Sequence, residues 1–146
     1  MKTMNEQDKN QMLQGMLREG ESYGGKMWGV IMADNKALLT GALISGAVGA
    51  LSNQYCYVGV TQKAIYFVVV GSFNVSEIKQ SFIIELKDVK KAKVKKSLIP
   101  GRRVMMLHLG KGKLKLSVVN NTIGSDIKMQ KEGCDYLCNQ LSNCTN

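Results

Sequence analysis

The stretch QYCYVGVTQKAIYFVVVG, Gln54 to Gly71, holds two runs of apolar, β-branched and aromatic residues on either side of the polar Thr61-Gln62-Lys63. Runs of that length and composition, separated by a short polar turn, predict a β-hairpin. Outward from this hairpin the chain continues to read as strands. Gly71 to Asn74 turns the backbone, and Phe73–Gln80 and Ser81–Leu86 follow as two further extended segments. From Val89 to Leu98, VKKAKVKKSL alternates Ala92 and Val94 with Lys91, Lys93 and Lys95, the period of two expected of a strand with one wet face. Pro100-Gly101 suits the two central positions of a type II turn, because proline presets the first φ and glycine tolerates the positive second one. RVMMLHL then leads through the turn Gly110-Lys111-Gly112 into KLKLSVV, with Lys113 and Lys115 outward and Leu114 and Leu116 inward. The last three strands are thus predicted to form a meander.

Past Asn120-Asn121 the period becomes helical. Ile127, Cys134, Leu137, Cys138 and Leu141 fall on one stripe, with Lys128, Lys131 and Asp135 off it, and Thr122 or Ser125 is available as a cap. A helix over 122–143 is expected, weakened by Gly133 and dependent on packing against the strands. Upstream of the hairpin, residues 1–19 carry a short helix, with Met12, Leu13, Met16 and Leu17 at helical spacing and a stop at Gly20. Glu21–Ala33 reads as the first strand, loosened by Gly24 and Gly25. Between that strand and the hairpin lies ALLTGALISGAVGAL, residues 37–51, an uncharged Gly/Ala-rich insert too short to span a bilayer as a helix. Ala42, Gly46 and Ala50, and Ser45 and Gly49, repeat at a spacing that allows close helix approach, so Ala42, Gly46, Gly49 and Ala50 are candidate self-association residues. The expected fold is mainly β: about seven antiparallel strands in one domain spanning 1–146, closed by a C-terminal helix.

The formal net charge is +9, from 20 Lys and Arg against 11 Asp and Glu, which draws the molecule towards polyanions. Aromatic residues make up only 6% of the chain, too few to interleave basic runs with base-stacking platforms, so nucleic acid is not the expected partner. The first twenty residues are polar and carry Glu6, Asp8 and Glu19 where a secretion signal would place an apolar core; a cytoplasmic location with reduced thiols is expected. Cys134 and Cys138 share a helix face, but zinc takes four ligands and His108 belongs to another segment, so packing is the expected role of the cysteines. His108 has no nucleophile with an orienting acid near it in sequence. Gly110-Lys111-Gly112-Lys113 lacks the glycine spacing and the following helix of a phosphate loop. No catalytic residue, metal, cofactor or small-molecule substrate is predicted.

Three stretches carry a family resemblance: GVTQKAIYFVV at Gly59–Val69, SFIIELKDVKKAKVKKSLIPG at Ser81–Gly101, and KLKLSV at Lys113–Val118, with LREGE at Leu17–Glu21 and the Gly/Ala-rich insert in supporting positions. Together they resemble the bacterial pleckstrin-homology-like domain family over about two thirds of the chain. The resemblance implies a bent barrel of two near-orthogonal sheets with the helix plugging one open end. In eukaryotic pleckstrin-homology domains, phosphoinositide binding depends on basic loops after the first strand; here that loop is the insert, with only Lys36 nearby.

Two function classes follow. One is a non-catalytic interaction or scaffold module that binds a protein or self-assembles through sheet edges and the insert. The alternative is a peripheral polyanion binder that meets an anionic membrane or nucleic acid through a lysine-rich sheet face. The residues for that face are Lys91, Lys93, Lys95, Arg102, Arg103, Lys111, Lys113 and Lys115, which would equally serve as charged edge protection.

Overall fold

The computed structural model describes residues 4–32, 54–71, 74, 76–109, 112–120 and 127–144. Its elements run α1 (Glu6–Met16), β1 (Gly25–Ile31), β2 (Gln54–Val60), β3 (Ala64–Val70), β4 (Ile78–Glu85), a 3-10 turn at Leu86–Asp88, β5 (Lys91–Lys96), β6 (Arg102–Leu109), β7 (Gly112–Val119) and α2 (Gln130–Cys144). The strands form one antiparallel sheet in the order β4-β3-β2-β1-β7-β6-β5. The sheet is open, with β4 and β5 as its edges.

Two halves meet at a narrow seam. β1 pairs with β2 along its whole length, Gly25 opposite Val60 through Ile31 opposite Gln54, but with β7 only at Val30–Ser117 and Ile31–Leu116. Beyond those two pairs the seam opens, and α2 lies across it. Its first residue, Gln130, is buried and takes over the missing ladder. Trp28 N–H donates to Gln130 Oε1 (3.0 Å), while Gln130 Nε2 donates to the carbonyls of Trp28 (2.9 Å) and Val119 (2.9 Å).

Each face of the β1–β4 half is covered, which accounts for the unbroken apolar runs of β2 and β3. Cys56, Val58, Ile65, Phe67 and Val69 face the inner core with α2 and the β5–β7 half. Tyr57, Ala64, Tyr66, Val68 and Val70 face a second core under α1, centred on the fully buried Leu13. Asn5 caps α1, its Oδ1 accepting from Asp8 N–H (2.8 Å). Arg18, just past α1, ties the segment down by pairing with Glu85 on β4, with Glu21 (2.6 Å) and with the Tyr66 hydroxyl (3.1 Å). Thr61 Oγ1 donates to Glu21 (2.7 Å), and the Arg18 guanidinium beside it holds the Glu21 carboxyl down at about 2.

The predicted hairpin, the three-strand meander and the type II turn all form; Gly101 has φ +78°, and Arg102 N–H donates to the Ile99 carbonyl (3.2 Å). Other boundaries differ. β1 begins at Gly25, because Glu21 is held by Arg18 and the Tyr23 hydroxyl by the Leu13 carbonyl, and of the residues before the strand Gly24 is the one whose N–H reaches β2, at the Val60 carbonyl (2.8 Å). The two segments predicted over 73–86 are one strand, Ile78–Glu85, paired along β3 and followed by the 3-10 turn. α2 begins only at Gln130, so Ile127 precedes the helix and packs in the second core, not on the α2 stripe. The proposed caps Thr122 and Ser125, and the insert 37–51 with Ala42, Gly46, Gly49 and Ala50, lie outside the described residues.

Candidate anion-binding face

Strand alternation and register build one outward face on β5, β6 and β7 in three rows. Lys91 lies opposite His108, which lies opposite Lys113; Lys93 opposite Met106 and Lys115; Lys95 opposite Val104 and Ser117. Successive outward residues on a strand are about 6.6 Å apart, and β5 and β7 lie about 9.6 Å apart across β6. The result is a half-exposed apolar floor, Val104 and Met106, between two columns of lysines. The face forms a groove of about 560 Å³, and Met32 at the end of β1 joins its lining. The sequence reading found the lysine columns but not this floor, although the alternation of RVMMLHL contained it.

Like charges at this spacing repel, and no ion pair among the described residues reaches Lys91, Lys93, Lys95 or Lys113. His108 registers the local field. Partial burial and the charges of Lys113, Lys91 and Lys93 hold its imidazole below its ordinary 6.5. Arg102 belongs to the same face, fixed by an Nε–H bond to Ser117 Oγ (2.8 Å) and lying against Met32 Sδ (3.6 Å).

Arg103 does not join them. Consecutive strand residues point to opposite faces, and Arg103 turns inward to α2, donating to Asp135 (3.0 Å), Asn120 Oδ1 (2.7 Å) and Cys138 Sγ (3.2 Å). It locks helix to sheet and is no part of the outward face. Lys111 lies outside the described residues. Cys134 is buried on the sheet-facing side of α2, its thiol pushed up to about 12 by desolvation, and the deeply buried Cys56 is raised to about 12 for the same reason. These are packed thiols rather than reactive ones.

The hSac2 domain from the human phosphoinositide phosphatase Sac2 superposes with a TM-score of 0.50 at 14% identity, covering 92% of this chain and 77% of that one. The Vps36 N-terminal PH domain superposes with a TM-score of 0.51 at 12% identity, covering 88% and 83%. The chain has a pleckstrin-homology-like fold. No family model matches the sequence, and no curated protein does. At these identities the likeness concerns the fold alone. In this pleckstrin-homology-like domain the lysine face lies on the outside of the three-stranded half, on the side of the sheet away from α2, and its chemistry belongs to this sequence.

Proposed function

We propose that this chain is a non-catalytic binding module, of the bacterial pleckstrin-homology-like kind its strand and turn patterns resemble, that docks a polyanionic surface on the outer face of β5–β7. The observation that carries this reading is the set of lysines on that face, Lys91, Lys93, Lys95 and Lys113, aligned in register around an apolar floor without carboxylate partners among the described residues. An arriving anion relieves their mutual repulsion and releases the counterions they would otherwise hold. No helix among the described residues is long and apolar enough to cross a bilayer.

The test compares wild type with Lys91→Glu/Lys93→Glu/Lys95→Glu on heparin resin and on vesicles containing phosphatidylserine. Wild type is retained at low salt and released as ionic strength rises; the triple variant binds at least tenfold more weakly, with its melting temperature nearly unchanged because exposed charges contribute little to stability. Wild-type protein that ignores both probes at low salt would sink the reading.

A pH dependence follows with a definite sign. Bound anion offsets the lysine charges, so the His108 pKa rises on binding and the complex takes up a proton. Binding therefore tightens as pH falls from 7.5 to 5.5, and His108→Gln removes that part of the dependence. Equal affinities at the two pH values would show that His108 does not sense the ligand.

Protein interaction is the second reading, and the open β4 edge favours it. That edge exposes Ile78 and presents strand backbone, whereas the β5 edge is studded with lysines that discourage pairing. Concentration-dependent sedimentation distinguishes self-association through this edge, or through the insert 37–51, from a monomeric binder.

A further inference from the structure

The turn joining β5 to β6 presents apolar side chains to solvent beside the lysine face. Leu98 is fully exposed, at 103% of its reference area, and Ile99 is 54% exposed, followed by the exposed Pro100. Leu98 and Ile99 are among the most exposed large hydrophobic residues described. The turn is made by the φ preferences of Pro100 and Gly101, so it does not need apolar side chains at Leu98 and Ile99. Nor does the tip collapse onto the core.

Its backbone is tied by hydrogen bonds. Ser97 N–H donates to the Arg102 carbonyl (2.9 Å), Arg102 N–H to the Ile99 carbonyl (3.2 Å), Ile99 N–H to Ser97 Oγ (3.2 Å), and Asn120 N–H to the Gly101 carbonyl (2.7 Å). These internal bonds lower the cost of moving the tip out of water, since polar backbone groups carried into an apolar phase must already be paired. Lys95 and Lys96 immediately precede the tip and Arg102 follows it. An apolar point flanked by cations matches an anionic lipid bilayer, whose head groups meet the lysines while its acyl boundary receives the aliphatic side chains. A soluble polyanion offers only the first of these partners.

We propose that the Leu98-Ile99 tip inserts into the interfacial region of an anionic bilayer while the β5–β7 face engages its head groups. This inference rests on the polyanion-binding reading and names the membrane as the source of the charge. The experiment uses the full chain, vesicles of phosphatidylcholine with 30% phosphatidylserine (about a third anionic, enough for the surface attraction invoked here), and heparin as a soluble control. Leu98→Ser/Ile99→Ser is expected to bind the vesicles about tenfold more weakly while keeping wild-type heparin affinity. Leu98→Trp, read against the constant background of Trp28, is expected to shift its emission to the blue with vesicles and not with heparin. Unchanged vesicle binding by the serine variant, or no blue shift, overturns insertion and leaves a purely electrostatic face. Wild-type binding to heparin but not to vesicles overturns it as well, in favour of another polyanion. If wild type binds neither probe, the underlying charge reading fails and the inference falls with it.

Discussion

Replacing Gly133 by alanine is expected to destabilise the fold by about 2–3 kcal/mol, the cost typical of overpacking a close contact. Helix propensity alone predicts the opposite sign, since an interior glycine costs roughly 1 kcal/mol relative to alanine. The contact decides the outcome. A Cβ at Gly133 would lie 2.5 Å from the Lys26 carbonyl oxygen, 3.0 Å from its carbon and 3.2 Å from the Lys26 nitrogen. All three are backbone atoms of β1, which is paired on its other side along the full length of β2, so the strand has little room to retreat. Gly25 meets the same crossing from the strand side, where an added Cβ would lie 3.0 Å from the Gly133 Cα. Urea denaturation of Gly133→Ala measures the sign directly. A midpoint equal to or above wild type would mean that α2 does not sit this closely on β1. Gly133→Leu, with a branched side chain at the crossing, should fail to fold.

The second large effect is expected at Gln130. Gln130→Leu keeps side-chain bulk but removes the amide that bonds to Trp28 N–H, Trp28 C=O and Val119 C=O where β1 and β7 part. Each backbone group left unsatisfied in a buried setting costs about 1–3 kcal/mol. Water can re-solvate part of the opened seam, so a net loss of about 3 kcal/mol is expected. Trp28 amide exchange should accelerate before global unfolding, because the local partner is gone even where the sheet survives. Gln130→Glu retains the acceptor for Trp28 N–H but loses both donor bonds, so it should rescue little. A Gln130→Leu protein that melts with wild type and protects Trp28 equally would show that the seam does not depend on this side chain.

Much of the architecture was legible because it is written locally. The hairpin through Gln54–Gly71 follows from two β-rich runs and a polar turn, and the Pro100-Gly101 turn from the φ preferences of two adjacent residues. The lysine columns follow from the period of two, which fixes sidedness without any knowledge of the neighbours. That rule also separates Arg102 from Arg103. Treating the two as one basic patch overlooked it, and the structure puts Arg103 against α2.

The sequence by itself determined the number and kind of most elements, the change to a helix at the C-terminal end and the outward direction of the lysines, because those depend on interactions within a few residues. Only the tertiary structure decided what lies between distant segments. It set β1 beside β7, some ninety residues later, over just two residue pairs, and gave the broken remainder of that ladder to Gln130. It placed Ile127 in the core under α1 instead of on the α2 stripe, and it turned Gly133 from a weakness of the helix into a condition of its packing. Periodicity records which side of an element is apolar, but not which surface will cover it. That choice depends on backbone-to-backbone distance and on the pairing of every buried polar group, quantities that exist only once the chain has closed on itself.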